Sequence, residues 1–225
     1  MIGNDVVDFA ASEARAGAAH PRFDARVFVC SEREALLRSD APTRLRWILW
    51  AAKEAAFKAV KRADPATVFS PRRFVVAPLG GAAARVVFAD RALDVTLDLR
   101  PGYVHAIASL AALEVPHAPG ALHAAIASPS PPSVRLVTAV EAITRDGEAS
   151  PELAGRRVRE LAVASVARAL DLAASGLAVV REGRLPSLAY RGRVLDAALS
   201  LSHHGRFAAF ACSLREPRVA RRRTG

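Results

Sequence analysis

Three carboxylates and an amine stand where ionic chemistry could be done. Asp5 and Asp8 sit in the opening segment IGNDVVD, whose Ile2, Val6 and Val7 read as strand residues. Glu54 and Lys58 stand four apart in WAAKEAAFKA at 50–59, so on a helix they share one face. Magnesium prefers oxygen ligands, keeps several waters, and takes one or two carboxylates together with substrate phosphates. Asp5 and Glu54 could supply those carboxylates. Lys58 would then hold the same phosphates and offset charge on a leaving group. A third segment, LSLSHHGRFAA at 199–209, places Ser202 and His203 in a turn after a strand. There the hydroxyl and the imidazole could contact phosphate, with His204 as the alternative imidazole. No G-x-S-x-G elbow surrounds Ser202, which disfavours a serine-hydrolase nucleophile.

Each of these residues also has an ordinary explanation. Asp5 and Asp8 could be solvated carboxylates on an edge strand. Glu54 and Lys58 could form a surface ion pair, which contributes at most about 0.5 kcal/mol. A turn histidine is often just a hydrogen-bonding or exposed group. Trp50, one turn before Glu54, reads as a packing residue.

The elements that must position these groups follow from periodicity. Arg44 to Arg62 carries Leu45, Ile48, Leu49, Ala52, Ala56 and Val60 at helical spacing, with Asp40 or Thr43 as N-cap. Arg156 to Ala174 does the same with Val158, Leu161, Ala162, Val166 and Leu170. An internal repeat accompanies the two helices. RALDVTLDL at 91–99 and RVLDAALSL at 193–201 align at one offset of 102 residues, and after a one-residue slip Gly102, Ala106 and Ala108 match Gly205, Ala209 and Ala211. Both copies alternate with period two around a Gly-containing turn, so each predicts a β-hairpin. Prolines at 116, 119, 129, 131 and 132 mark 113–132 as a linker.

The resulting expectation is an α+β fold of two similar lobes forming an intramolecular pseudo-dimer. Residues 1–112 make the metal-binding, catalytic lobe and 133–214 the second lobe, followed by a basic, disordered tail at 215–225. Only the first lobe carries the acidic strand and the Lys-Glu helix, and only the second carries Ser-His-His. One complete site would therefore form where the lobes meet.

Composition bounds the alternatives. A hydrophobic content of 52% with 24% charged residues excludes a disordered polymer. The most apolar stretches are interrupted by Glu114, Arg168 and Asp171, so no run of about 20 apolar residues offers a membrane span. Met1 leads directly into the acidic segment rather than into a signal peptide. Cys30 and Cys212 are too few for a disulfide scaffold, and the chain reads as cytoplasmic. The net charge of +10 suits an acidic or phosphate-rich partner, and the tail from Arg215 supplies five of the arginines. A nucleic-acid-binding role would rest on that charge. It is disfavoured by an aromatic content of only 6% and by the lack of a basic-aromatic motif.

Taken together, IGNDVVD, RVFVCSERE at 26–34, WAAKEAAFKA and PGYVHAIAS resemble the 4′-phosphopantetheinyl transferase superfamily. GRLP at 183–186 and SLSHHGR at 200–206 are similar to the other half of its two-lobed class, so the lobe order looks circularly permuted. IGNDVVD itself is closer to the start of the single-lobed holo-acyl-carrier-protein synthases. The resemblance implies Mg2+-dependent transfer of the 4′-phosphopantetheine arm of coenzyme A to a serine of an acyl or peptidyl carrier protein, releasing 3′,5′-ADP. It implies Asp5 and Glu54 as metal ligands, with Glu54 and Lys58 as catalytic residues. Where the two-lobed class has a further carboxylate this chain has Val7, for which water would substitute, with Asp8 outside the metal's ligand set. Lys58, Ser202, His203, Gly183 and Arg184 would bind coenzyme A, and Pro186 would accompany the last two. A monomer is expected, with no membrane partner. A catalytically silent, carrier-binding relative is the remaining alternative.

Overall fold

A computed structural model describes residues 1–17, 20, 22–110, 134–183 and 185–215. The linker expectation at 113–132, Arg184 and the tail after Arg215 lie outside the described residues. The fold is mixed α+β.

The chain opens with β1 (Ile2–Asp8), followed by α1 (Phe23–Val27), α2 (Cys30–Arg38) and the long α3 (Pro42–Ala63). Strands β2 (Val75–Gly80), β3 (Ala83–Phe88), β4 (Arg91–Leu99) and β5 (Tyr103–Leu110) complete a five-stranded antiparallel sheet in the order β1-β5-β4-β3-β2. The return of β5 beside β1 puts the acidic strand at a sheet edge.

Helix α3 lies on this sheet through a stripe of small residues. Ala52, Ala55, Ala56 and Ala59 are fully buried, and a Cβ at Gly3 would overlap the Ala55 carbonyl and the Ala59 amide. Glycine there lets the helix backbone approach the strand. The helix starts two residues earlier than the periodicity predicts. Its N-cap is Ala41 rather than Asp40 or Thr43, because Pro42 at the first helical position supplies a preset φ and needs no side-chain cap. Trp50 packs against Phe23 and Phe69, as expected of a packing residue.

After the gap come β6 (Val134–Ala142), α4 (Pro151–Leu170), β7 (Leu177–Glu182), β8 (Leu185–Tyr190), β9 (Arg193–Val194), β10 (Ala197–His204) and β11 (Phe207–Arg215). Two three-stranded antiparallel sheets result, β10-β11-β6 and β7-β8-β9. Helix α4 is N-capped by the Ser150 hydroxyl, which accepts from the Leu153 N–H. It ends at Leu170, short of the expected Ala174, because Asp171 turns left-handed at φ 53°.

Three further expectations are corrected. The repeat's second strand is not continuous over 193–201: Arg193–Val194 pairs with β8, and β10 starts only at Ala197. Ser202 and His203 belong to β10 itself, and the turn is Gly205–Arg206. The one-residue slip is replaced by a longer hairpin. Beyond Leu99↔Val104, β4–β5 adds only the Arg100–Tyr103 pair, whereas β10–β11 adds three pairs beyond Leu201↔Phe210. That extension carries Ser202, His203 and His204.

Ser200 and the extension together close the free edge of β1. The Asn4 N–H donates to Ser200 Oγ at 3.0 Å, Val6 N–H to Ser202 Oγ at 3.2 Å, and Asp8 N–H to His204 Nδ1 at 3.0 Å. Alternate amides of an edge strand are thus satisfied by alternate side chains of β10, in place of a backbone ladder. Apolar side chains at these three positions would leave the amides without acceptors.

Candidate functional site

Asp5 and Lys58 meet at this edge. Asp5 is 8% exposed and faces α3. Lys58 donates to Asp5 Oδ1 at 2.8 Å and to the Asn4 carbonyl at 3.0 Å. The Ser202 hydroxyl donates to the same Asp5 oxygen at 2.8 Å, and Lys58 also reaches Ser202 Oγ at 3.4 Å. The side chains predicted from three separated segments therefore share one point, on β1, α3 and β10.

Glu54 lies one helical turn before Lys58, half-buried, and accepts no hydrogen bond among the described residues. Burial raises its pKa to about 7, the Asp5 charge pushes the same way, and Lys58 opposes them. Two carboxylates thus repel each other in a partly desolvated cleft, with unengaged oxygens on both. Among the described residues no three His, Cys, Asp or Glu side chains converge as a full metal cage. The pair nevertheless fits a hard dication that keeps waters and takes its remaining ligands from substrate phosphate. Val7, 1% exposed, points into the core and offers no third ligand.

Asp8 is committed elsewhere. Its Oδ1 accepts from the Ala10 N–H and Arg206 Nη2, and its Oδ2 from the Arg206 N–H and Nε, all between 2.8 and 2.9 Å. Burial raises its pKa, but these bonds outweigh burial and hold it below the ordinary carboxylate value. Gly205 makes the clamp possible: at φ 55°, a Cβ there would come within 2.6 Å of Asp8 Oδ2.

The two histidines divide the roles left open by the sequence. His204 is structural, its Nδ1 accepting from the Asp8 N–H and its Nε2 lying 2.9 Å from Glu13 Oε1. His203 points the other way, into a cleft of about 650 Å³ lined by Glu152, Gly155, Arg156, Arg159 and Leu201. Burial, with Lys58, His204 and Arg159 adding positive charge, lowers its pKa, so its imidazole is neutral at pH 7. Ser202 is buried, and its hydroxyl is already engaged by Asp5, Val6 and Lys58 rather than open to a phosphate.

Arg156 and Arg159 were not singled out by the sequence analysis. Their signal was present: two arginines three apart in the first turns of a predicted helix in the Ser-His-His half. Gly183 occupies the exposed β7–β8 turn at φ 61° and does not line the His203 cleft. Pro186 offers its carbonyl to Arg62 at 3.0 Å.

Among the described residues no helix is long and apolar enough to cross a membrane. No curated protein matches the chain. Residues 1–108, which include β1, α3 and nearly all of β5, match the family model described as the 4′-phosphopantetheinyl transferase superfamily, so this part of the chain is similar to that superfamily.

Proposed function

We propose that the protein transfers the 4′-phosphopantetheine arm of coenzyme A to a serine of an acyl or peptidyl carrier protein, with Mg2+ held by Asp5 and Glu54. The observation that carries this reading is the convergence of Asp5, Glu54, Lys58 and the β10 extension beside a cleft carrying His203, Arg156 and Arg159. The parallel strand orders β1-β5-β4 and β6-β11-β10 support reading the two halves as a pseudo-dimer with one surviving site. On that reading residues 1–112 form the catalytic lobe and 133–214 the coenzyme A-binding lobe.

The phosphates of coenzyme A enter the His203 cleft, where Arg156 and Arg159 supply charge and the neutral imidazole donates a hydrogen bond. The diphosphate then lies against Lys58. Magnesium, when bound, neutralises charge on that diphosphate and helps to orient it. The carrier serine Oγ forms a bond to the β-phosphorus bearing pantetheine, and the bond from that phosphorus to the bridging oxygen of 3′,5′-ADP breaks. The leaving oxygen keeps the electron pair and Lys58 offsets its charge. The serine proton passes to Glu54 or to a water held beside it. No covalent enzyme intermediate is needed, so catalysis comes from alignment and charge compensation.

The test is incubation of the protein with coenzyme A, Mg2+ and several apo carrier proteins, read by the mass of the carrier. Gain of the phosphopantetheine mass is expected. No gain with any carrier, together with no coenzyme A binding, overturns the reading. Coenzyme A or carrier binding without transfer identifies a silent relative.

A further inference from the structure

Lys53 is the residue before Glu54, yet it is fully buried and its ammonium bonds away from the site. Its ammonium lies 2.8 Å from both Glu32 oxygens and donates to the Phe74 carbonyl at 2.5 Å and the Pro71 carbonyl at 3.2 Å. Glu32, 3% exposed, also accepts from the Val76 N–H at 2.7 Å and the Val29 N–H at 3.0 Å. An ammonium has three N–H donors, and here every one has an acceptor. The network ties α3 to the first turn of α2, to the segment before β2 and to β2 itself.

Such a pair is a poor source of net stability, since desolvation of both charges offsets their attraction. It is, however, strongly directional. A fully coordinated ammonium at one position of a helix leaves the helix little freedom to rotate about its axis. Successive side chains on a helix diverge by about 100°, so fixing Lys53 inward fixes Glu54 toward β1 and Lys58 one turn beyond it. The Gly3 contact sets how closely α3 approaches the strand. The Lys53 network adds to the apolar packing a directional constraint on its rotation.

We infer that the buried Lys53–Glu32 pair sets the rotation of α3 and is thereby the positioning device that aims Glu54 and Lys58 at Asp5. Lys53 and Glu32 touch neither the cation site nor the cleft, so their effect is exerted through Glu54 and Lys58. The inference rests on the transferase reading for its consequence in catalysis, but not for its geometry.

The test compares Lys53→Met and Glu32→Leu, singly and together, with the native protein. Each single change leaves a buried group without its partner and lowers the melting temperature. The double change removes both buried charges but leaves the Val29 and Val76 amides and the Phe74 carbonyl without side-chain partners, so the melting temperature recovers only in part. Mn2+ affinity, measured by calorimetry as a stand-in for Mg2+, is expected to stay on the order of tenfold weaker in the double variant, as for other residues that orient ligands. Turnover is expected to show a similar fall in kcat, with KM for coenzyme A little changed. Native Mn2+ affinity and kcat in the double variant overturn the inference.

If that variant does not fold, Lys53→Met with Glu32→Gln retains the acceptors for Val29 and Val76 and is read in the same way. A crystal structure of whichever variant folds separates this inference from the transferase reading. Lys58 and Asp5 still 2.8 Å apart would overturn positioning by the pair, whatever the native protein does to carriers. Absence of transfer by the native protein, with Lys58 swung away from Asp5 in the variant, overturns only the transferase reading.

Discussion

The Ser202 hydroxyl donates to the Asp5 carboxylate at 2.8 Å, joining the end of β10 to the first strand across 197 residues. That bond places one Asp5 oxygen under both a hydroxyl and the Lys58 ammonium, and the other oxygen accepts no hydrogen bond among the described residues. It also explains why the second hairpin is extended: without the added pairs Ser202 would not reach β1.

Ser202→Ala removes three hydrogen bonds and leaves the Val6 amide without an acceptor, which should lower stability by about 1–3 kcal/mol. Because Ser202 does not touch the leaving group in this reading, turnover should fall far less than in Glu54→Ala or Asp5→Ala, which should abolish it. Urea titration and the carrier-mass assay on the three variants check the ordering. Equal losses in all three would assign Ser202 a direct role.

Lys58→Ala should slow transfer rather than eliminate it, by roughly 10²–10³ in kcat, the usual cost of losing one group that stabilises developing charge. Stopped assays at saturating coenzyme A measure this directly.

Arg156→Ala and Arg159→Ala should raise KM for coenzyme A while leaving kcat nearly constant, because both act on bound phosphate in the ground and transition states alike. A drop in kcat at unchanged KM would move these arginines out of the binding role.

Gly3→Ala should be the most disruptive single-methyl change in the first sheet. The added Cβ meets helix backbone rather than a movable side chain, so α3 must lift off β1. A loss of about 1–3 kcal/mol is expected, together with weakened Mn2+ binding, both measurable on the purified variant.

Acid should destabilise the protein between roughly pH 6.5 and 4, with His105 as one cause. Burial depresses its pKa to about 4; Asp5 and Asp98 act in the opposite direction, and Lys58 adds to the depression. The unfolded chain takes up this proton first as pH falls. Stability from the neutral imidazole is therefore complete above pH 6.5 and shrinks toward pH 4, by about 3 kcal/mol in all. Asp8 contributes in the same direction but at lower pH, since its folded pKa lies below the ordinary carboxylate value. Urea midpoints at pH 7 and pH 5 should differ less in His105→Gln than in the native protein.

Much of the structure of residues 1–110 was legible in the order of its amino acids. The 3.6-residue spacing of Leu45, Leu49, Ala52, Ala56 and Val60 sufficed for α3, and the i, i+4 relation of Glu54 and Lys58 put them on one face. Alternation in 91–99, followed by Pro101–Gly102, sufficed for the first hairpin. The Ser-x-Ser-x-His alternation was visible too, but its purpose was not. Capping the amides of a strand 196 residues away is a relation between elements, not a property of either segment.

The sequence alone determined which residues could do ionic chemistry and on which elements they ride, because periodicity and residue type are local. Tertiary structure decided the division of labour among them. Two neighbouring histidines on a strand point to opposite faces, so the docking of β10 on β1 made His204 a strut and left His203 in the cleft. Likewise Asp5 and Asp8 are alike in sequence, and only the arrival of Arg206 on one and Lys58 on the other separates a buried clamp from a carboxylate with an oxygen to spare.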